Sequence, residues 1–272
     1  MVVFPNSKIN LGLQILRKRN DGFHDLDTVF YPVPLQDALE IIQLPNRLQK
    51  SVFSTSGKEI EGDKNENICL KAYDLLKKNF SELPGVRMHL HKTIPSGAGL
   101  GGGSADGAFT LLLLNKKFKL GLSEQMLLEY ALQLGSDCPF FIKNKPCFAR
   151  GRGEDMEEIN LDLSTYTIVL VNPGIHVSTK LAFSMVQSSD RRNPVREIIN
   201  QPVLSWKDVL KNDFEESVFS AYPEIGKIKE VMYESGAVYA SMTGSGSTVY
   251  GLFEKNTELS FNFPSHYFVK SV

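Results

Sequence analysis

The feature that most constrains this chain is a stretch at residues 95–109, in which six of fifteen residues are glycine. An alternating apolar and polar run at 86–91 precedes it and an apolar run at 108–115 follows it, so the order predicts a strand, a glycine loop and a helix. Glycine loses much backbone entropy on folding, and such a density indicates positive φ angles or close approach of the backbone to a ligand. A phosphate chain fits best, because consecutive backbone N–H groups and the start of the following helix both attract anions.

Two other known kinds of phosphate-binding glycine loop are the Walker A loop and the dinucleotide-binding loop. A Walker A loop is excluded because no Gly-Lys-Ser/Thr follows the glycines. Gly97 to Gly102 satisfies the dinucleotide pattern G-x-G-x-x-G, and Glu124 lies at a suitable distance to hold a ribose. Against that alternative, the loop lies about a hundred residues into the chain, and Pro95 with the extra glycine makes it longer than the dinucleotide turn.

Charge and cysteine content narrow the class of protein. The 30 basic and 31 acidic residues nearly balance, which predicts no general attraction to nucleic acid or to a membrane surface. The three cysteines lack a C-x-x-C pair, which argues against a disulfide framework or a zinc site and favours a reducing cytoplasm. No signal sequence and no long apolar run is found, so we expect a globular, cytoplasmic protein.

Hydrophobic periodicity predicts the secondary structure. In the first part of the chain we expect strands at 2–17, 23–33, 38–44, 52–56 and 86–91, and helices at 67–80, 108–115 and 123–134. Ser123 is the predicted N-cap of the last of these helices and Gly135 its C′ glycine. Pro139 fits the first turn of a further short helix, with Asp137 at its N-terminal edge.

The second part of the chain begins with a strongly β-branched strand at 166–173. Helices are predicted at 207–219 and 225–235, followed by two strands at 237–242 and 249–253. A second glycine loop, residues 243–248, joins those strands. We place a domain boundary near residue 155, which gives domains at 1–155 and 156–272.

Four segments resemble the motifs of the GHMP kinases, the family of galactokinase, homoserine kinase, mevalonate kinase and phosphomevalonate kinase. Residues 95–107 resemble the family's second, phosphate-binding motif, and residues 243–248 resemble its third. Residues 7–11 and 20–28 resemble the N-terminal sequence motifs of the branch of this family that acts on a cytidyl-linked alcohol. The resemblance implies an α+β fold of two domains with antiparallel sheets, helices packed on one face, and a left-handed β-α-β unit in the N-terminal domain. It also implies that 1–155 bind ATP and that 156–272 contribute to substrate binding.

The resemblance assigns two catalytic residues. Lys8 and Asp137 match the family's lysine and aspartate. The aspartate takes or orients the proton of the attacking hydroxyl, and the lysine keeps that carboxylate ionised. Without the resemblance, Lys8 could equally be a surface residue and Asp137 a helix cap.

The substrate residues also follow from the resemblance. Phe23 and His24 match a Tyr-His pair that holds cytosine by stacking and by hydrogen bonding, so the phenolic hydroxyl is missing here. Phe183 matches a second aromatic that closes on the base, and Asn10 and Thr179 match polar substrate contacts. Asp137 is expected to contact the substrate as well.

On the nucleotide side, Asn67 and Lys92 match positions near adenine. The predicted ATP-binding loop consists of Pro95, Ser96, Gly97, Ala98, Gly99, Leu100, Gly101, Gly102, Gly103, Ser104 and Ala105. ATP is the implied co-substrate and Mg²⁺ the implied metal, with Ser104 the one candidate protein ligand. Gly107 departs from the family, which usually has alanine there, at a helix cost of about 1 kcal/mol.

The resemblance as a whole implies ATP-dependent phosphorylation of the 2-hydroxyl of 4-(cytidine 5′-diphospho)-2-C-methyl-D-erythritol, a step towards isoprenoid precursors. The expected partners are this small cytidyl substrate and ATP, with no nucleic acid and no membrane, in a monomer or homodimer. Two alternatives remain open at this point. One is a GHMP kinase for another alcohol, such as mevalonate, homoserine or a sugar, and the other is a nucleotide-binding regulator without turnover.

Overall fold

A computed structural model describes residues 1–45, 50–60, 63, 66–186 and 194–272. The chain divides into two compact units, each built from separate stretches. Unit 1 comprises Met1–Ser7, Pro34–Ser96 and Gly101–Asn144, and unit 2 comprises Lys8–Val33, Gly97–Leu100 and Lys145–Val272. The functional boundary near residue 155 stays a prediction.

The elements of the described ranges are as follows. The strands are β1 (Val2–Val3), β2 (Asn6–Lys18), β3 (His24–Gln36), β4 (Ala38–Gln43), β5 (Val52–Gly57), β6 (Val86–Lys92), β7 (Cys147–Arg150), β8 (Asp155–Glu158), β9 (Tyr166–Asn172), β10 (Tyr239–Met242), β11 (Val249–Glu254) and β12 (Phe268–Ser271). The helices are α1 (Ile68–Asn79), α2 (Gly102–Phe118), α3 (Glu124–Leu134), α4 (Cys138–Lys143), α5 (Thr179–Met185), α6 (Val195–Ile199), α7 (Trp206–Val209), α8 (Phe214–Ala221) and α9 (Pro223–Glu234).

Unit 1 contains a sheet in the order β1-β4-β6-β5 and the helices α1 to α4. β4 is antiparallel to β1 and β6, while β5 is parallel to β6 and connects to it through α1, which gives the β-α-β unit of the expected fold class. Val86, Met88 and Leu90 of β6 are buried, whereas Arg87 and His91 on its other face are exposed. This alternation leaves one apolar face for the helices, and α2 packs against β4 and β1. The left-handed sense of the unit stays a prediction.

Unit 2 holds two sheets, in the orders β2-β3-β7-β8 and β10-β11-β9-β12. β9 lies between β11 and β12 and is antiparallel to both. Its residues Ile168–Asn172 are all buried, as the β-branched run predicts. Helices α8 and α9 pack together and α9 covers β10 and β11, which closes an apolar cluster of this unit.

Most predicted elements are confirmed, with shifted ends, and three details are wrong. The strand predicted at 2–17 is two strands, β1 and β2, separated at Phe4 and Pro5. The predicted helix at 207–219 is broken between α7 and α8, because residues 211–213 are tied to β2: Leu13 donates its N–H to the carbonyl of Lys211 and accepts the N–H of Asp213. Gly135 does end α3, but its φ of 167° is extended backbone, so no left-handed cap forms. Ser123 caps α3 as predicted.

The glycine-rich segment is more helical than its composition suggests. α2 begins at Gly102 instead of Ala108 and runs for 17 residues. Within the part of the chain that the structure describes, no helix combines the length and the apolar character needed to cross a bilayer.

Candidate active site

The glycine loop has the backbone that its composition predicts. Gly97, Gly99 and Gly101 have φ angles of 63°, 77° and 70°. A Cβ at Gly99 would lie 2.1 Å from the carbonyl oxygen of Thr243, so no side chain fits there. Gly101 precedes α2 and offers no side chain to cap it. The first N–H groups of α2 therefore have no side-chain acceptor at the cap, which is the usual form of a phosphate site at a helix start.

The second and third glycine motifs meet within unit 2. The carbonyl of Ala98 accepts the N–H of Thr248 at 3.3 Å, and that of Gly99 accepts the hydroxyl of Thr243 at 3.1 Å. The sequence separates these motifs by more than 140 residues. Their contact supports the prediction that both belong to one functional loop system.

Lys8 lies buried beside the same loop, with 4 % of its surface exposed. Its backbone N–H donates to the carbonyl of Leu100 at 2.9 Å, and its ammonium donates to Oδ1 of Asn10 at 2.6 Å. The ammonium also lies 5.0 Å from the ring centroid of Phe30. The alternative that Lys8 is an ordinary surface residue is therefore excluded.

Asn10 is the centre of a buried hydrogen-bond network. Besides Lys8, its Oδ1 accepts the hydroxyl of Thr243 at 3.2 Å and the N–H of Gly244 at 3.1 Å. Its amide nitrogen donates to the hydroxyl of Thr28 at 3.0 Å. Asn10 thus fixes the lysine to the third motif, and its predicted substrate contact stays a prediction. Thr28 and Thr243 are members of this network that the sequence reasoning missed.

The predicted cytosine residues lie in unit 2 at the start of β3 and in α5. Phe23 is 52 % exposed, and the guanidinium carbon of Arg152 lies 4.4 Å from its ring centroid. The rings of His24 and Phe183 are stacked on each other at 4.8 Å, and Phe183 meets Phe214 edge-on at the same distance. Two stacked rings this close leave no space for a base between them, so a base must separate them or bind outside the pair.

The pKa of His24 is lowered below its ordinary value, first by burial and then by the positive charge of Lys18. The imidazole is therefore neutral at neutral pH, with one nitrogen donating and one accepting. A neutral imidazole can form hydrogen bonds with the polar edge of a base, both as a donor and as an acceptor.

Thr179 is the first residue of α5, directly after its N-cap Ser178. Its hydroxyl lies 3.0 Å from the hydroxyl of Ser245 in the third motif. Thr179 therefore lies beside the third motif, residues 243–248, and its contact with the substrate stays a prediction.

The two predicted adenine residues have structural roles in unit 1. Asn67 caps α1 by accepting the N–H of Cys69 on its side-chain oxygen at 2.9 Å. Lys92 ends β6 with 3 % exposure, and its ammonium contacts Asp37 and Asp106. Contact of either residue with adenine stays a prediction. Asp106 lies within the glycine-rich motif at 95–107 but was not predicted as a site residue, and no local motif marked Asp37.

Ser104 and Asp137 lie at the starts of two helices of unit 1 that pack against each other. Ser104 is in the first turn of α2, and Cys138, the residue after Asp137, begins α4. Burial raises the pKa of the Cys138 thiol to about 12, so it remains protonated. Asp137 precedes α4, and its carboxylate makes no capping bond to that helix. The carboxylate is therefore not used as a cap, which was the structural alternative to catalysis.

Gly107 is explained by its neighbour. A Cβ at this position would lie 2.8 Å from Cγ1 and 2.9 Å from Cδ1 of Ile68 in α1. Ile68 fills the space that the usual alanine would need. In this chain the glycine at position 107 is therefore matched to the side chain of Ile68 on the neighbouring helix.

This match gives a prediction for stability. Gly107→Ala alone should give no gain, because overpacking of about 1–3 kcal/mol offsets the helix preference of about 1 kcal/mol. In an Ile68→Ala background the same change should stabilise by about 1 kcal/mol. Chemical denaturation of the four proteins of this cycle measures the coupling. Equal effects of Gly107→Ala in both backgrounds would contradict the account.

The comparisons with known proteins agree on one family. The family described as "GHMP kinases N terminal domain" matches residues 67–145, and the one described as "GHMP kinases C terminal" matches residues 194–261. The chain is 54 % identical over 264 residues to 4-diphosphocytidyl-2-C-methyl-D-erythritol kinase of Bacteroides fragilis, which covers 96 % of each protein. It is 49 % identical to the protein of that name from Azobacteroides pseudotrichonymphae, over 99 % of this chain and all of the relative.

Solved structures show the same likeness. A crystal structure of 4-(cytidine 5′-diphospho)-2C-methyl-D-erythritol kinase is similar with a TM-score of 0.79 and 32 % identity, over 93 % of this chain and 90 % of the other. The mevalonate kinase of Methanococcus jannaschii reaches a TM-score of 0.69 at 12 % identity, over 94 % and 92 % of the two chains. The second likeness concerns the fold alone.

Proposed function

This chain belongs to the GHMP kinase family, in the branch of the 4-diphosphocytidyl-2-C-methyl-D-erythritol kinases, and on that premise we propose how its residues carry out the reaction. The reaction is ATP-dependent phosphorylation of the 2-hydroxyl of 4-(cytidine 5′-diphospho)-2-C-methyl-D-erythritol, which gives the 2-phosphate and ADP. The observation that carries the assignment of roles is the position of Lys8. Its buried ammonium is held by Asn10, and its backbone is bonded to the glycine loop.

Asp137 is the acceptor for the proton of the 2-hydroxyl in this proposal. Its carboxylate makes no capping bond to α4, and α4 packs against α2, the helix that follows the glycine loop. Lys8 supplies the positive charge that keeps the carboxylate ionised and that stabilises negative charge on the transferring group. The pairing of Lys8 with Asp137 is part of the proposal.

Phe23, His24 and Phe183 bind the cytosine, and Asn10 and Thr179 contribute polar groups to the substrate site. Phe23 offers an exposed aromatic face, and the neutral His24 offers one donor and one acceptor. The base must displace Phe183 from its stack on His24 or stack outside that pair. Residues 156–272 contribute Thr179 and Phe183 to this site.

ATP binds at residues 95–105, with Asn67 and Lys92 on the side of the adenine. Mg²⁺ is proposed as the metal of the reaction. Among the residues that the structure describes, no group of three His, Cys, Asp or Glu side chains forms a metal cage. Mg²⁺ in phosphoryl transfer takes most of its ligands from phosphates and water, and the proposed protein ligand is one hydroxyl, that of Ser104. When bound, the ion offsets the charge of the β- and γ-phosphates.

A coupled assay that follows ADP release tests the substrate. The cytidyl substrate should give turnover with purified protein, whereas mevalonate, homoserine and simple sugars should not. Turnover with one of these alcohols and none with the cytidyl substrate would reject the assignment. ATP binding without turnover on any of them would favour a regulator.

The pH dependence of KM tests His24. Its lowered pKa keeps the imidazole neutral at pH 7, and acidification through that pKa, below 6.5, adds a charge and removes the acceptor. We expect KM for the cytidyl substrate to rise about tenfold on acidification, and KM for ATP to change little. The lowered pKa of His24 also makes the folded protein less stable in acid. The contribution of the neutral imidazole to the free energy of unfolding is fully present above pH 6.5 and is lost as the pH falls through the pKa of His24 in the folded state.

His24→Gln is the matched control, since it keeps a donor and an acceptor but does not titrate. Its KM for the cytidyl substrate should be nearly independent of pH in this range. His24→Ala should raise KM for the cytidyl substrate about tenfold more than KM for ATP. If the alanine variant raises both KM values equally, His24 has only a structural role.

A further inference from the structure

The two ends of the glycine loop are joined by three buried charges in unit 1. The ammonium of Lys92, at the end of β6, lies 2.5 Å from Oδ2 of Asp37 and 2.8 Å from Oδ2 of Asp106 in α2. The three side chains are exposed by 3 % or less. We call Asp37, Lys92 and Asp106 the loop anchor.

Asp37 holds the chain where it enters the glycine loop. Its Oδ1 accepts the backbone N–H groups of Thr93 and Ile94, at 2.5 and 2.9 Å, directly before Pro95. Its own N–H donates to the carbonyl of Pro5 at 2.8 Å. One carboxylate therefore fixes the last residues before the loop and, through its other oxygen, the ammonium of Lys92.

Asp106 holds the chain where it leaves the loop. It lies in the second turn of α2, so its ion pair with Lys92 ties the start of the helix to the end of β6. A Cβ at Gly102, the first residue of the helix, would lie 2.9 Å from Ile94 and 3.3 Å from the ammonium of Lys92. The two ends of the loop thus touch, and only a glycine permits this approach.

The cost of burying three charged side chains indicates that the loop anchor has a role beyond protein stability. Burial of charges is costly, and apolar replacements of buried ion pairs are often neutral or stabilising. The loop itself cannot supply order, because Gly97, Gly99 and Gly101 have much conformational freedom and fixing one residue costs about 1–2 kcal/mol. An anchor at both ends of the loop restricts the loop before ATP binds, so less conformational entropy is lost on binding.

We propose that Asp37 is a positioning residue for ATP, which acts through Lys92, Thr93 and Ile94 to preorganise the glycine loop. Asp106 closes the anchor on the helix side, and Lys92 is the cation that both carboxylates share. The proposal rests on the proposed function only in taking ATP as the ligand of this loop.

The cluster provides its own matched pair of variants. Asp37→Asn places an amide N–H₂ or a neutral oxygen against the ammonium and weakens its hold on Thr93 and Ile94. Asp106→Asn takes one of the two carboxylates away from Lys92 but leaves the bonds of Asp37 to Thr93 and Ile94 in place. We therefore expect a large effect at position 37 and a small one at position 106.

The experiment measures the Kd for Mg-ATP by calorimetry and amide exchange of residues 93–104 by mass spectrometry. Asp37→Asn should weaken ATP binding at least about tenfold and speed exchange in these residues, with KM for the cytidyl substrate within about twofold. Asp106→Asn should change the Kd less than about threefold. If Asp37→Asn does not fold, the neutral variant Asp37→Asn/Lys92→Met/Asp106→Asn, which leaves no buried charge unpaired, should show the weak ATP binding.

Three results would overturn the proposal: unchanged ATP binding and exchange in folded Asp37→Asn, equal losses for both substrates, or tight ATP binding by the neutral variant. Direct binding does not depend on the acceptor alcohol. A failure of the assigned reaction would therefore appear in the wild-type turnover assay and would leave this measurement readable.

Discussion

Asp137→Asn should lower kcat about 10³-fold while the Kd for ATP stays within about threefold. Asparagine has the shape of aspartate but cannot take up a proton, so the loss reports the proton acceptor. The carboxylate makes no capping bond to α4, and so the substitution should not weaken that helix. Single-turnover kinetics with the cytidyl substrate, together with ATP calorimetry, measure the two quantities.

Asp74→Asn is the control for this experiment, because Asp74 is an exposed aspartate in the middle of α1 in the same unit. It should leave both kcat and ATP binding unchanged. Turnover of Asp137→Asn near the wild-type rate would remove Asp137 from the catalytic roles. A parallel loss of ATP binding would instead indicate damage to the glycine loop.

The sequence predicts the fold where the signal is local or where the motifs are specific. β9 follows from its β-branched run, and α3 follows from the N-cap Ser123 and the apolar period. The break between α7 and α8 could not be predicted, because it depends on the pairing of Leu13 with residues 211–213, far away in the chain. The β-α-β unit came from the family resemblance and not from periodicity.

In the candidate site, too, the sequence predicts some features and misses those that depend on long-range contacts. The resemblance identified Lys8, but the sequence did not reveal its burial or its bond to Asn10. Lys92 was singled out, whereas Asp37 stands alone between two strands, in no pattern that marks it. Long-range packing determines which carboxylate pairs with a lysine such as Lys92. In the sequence, a lysine close to a predicted phosphate loop is the signal that could have prompted a search for its carboxylate partners.

Stability should change little when Lys8 is replaced by methionine. Oδ1 of Asn10 keeps the N–H of Gly244 as a donor, so it is not left unpaired, even though the hydroxyl of Thr243 is shared with the carbonyl of Gly99. The backbone bond of residue 8 to Leu100 does not involve the side chain. A methionine sulfur beside the ring of Phe30 makes a favourable contact in place of the ammonium.

Lys8→Met should therefore lower kcat about 10²- to 10³-fold in a protein that remains folded, because a charge that acts on the transferring group is lost. Lys145→Met, at an exposed lysine, is the control and should have wild-type kinetics. If Lys8 acts through Asp137, the double variant Lys8→Met/Asp137→Asn should be scarcely slower than Asp137→Asn alone, since the two residues work as a unit. Multiplied losses in the double variant would mean that the lysine and the aspartate act independently, and the proposed pairing would then be wrong.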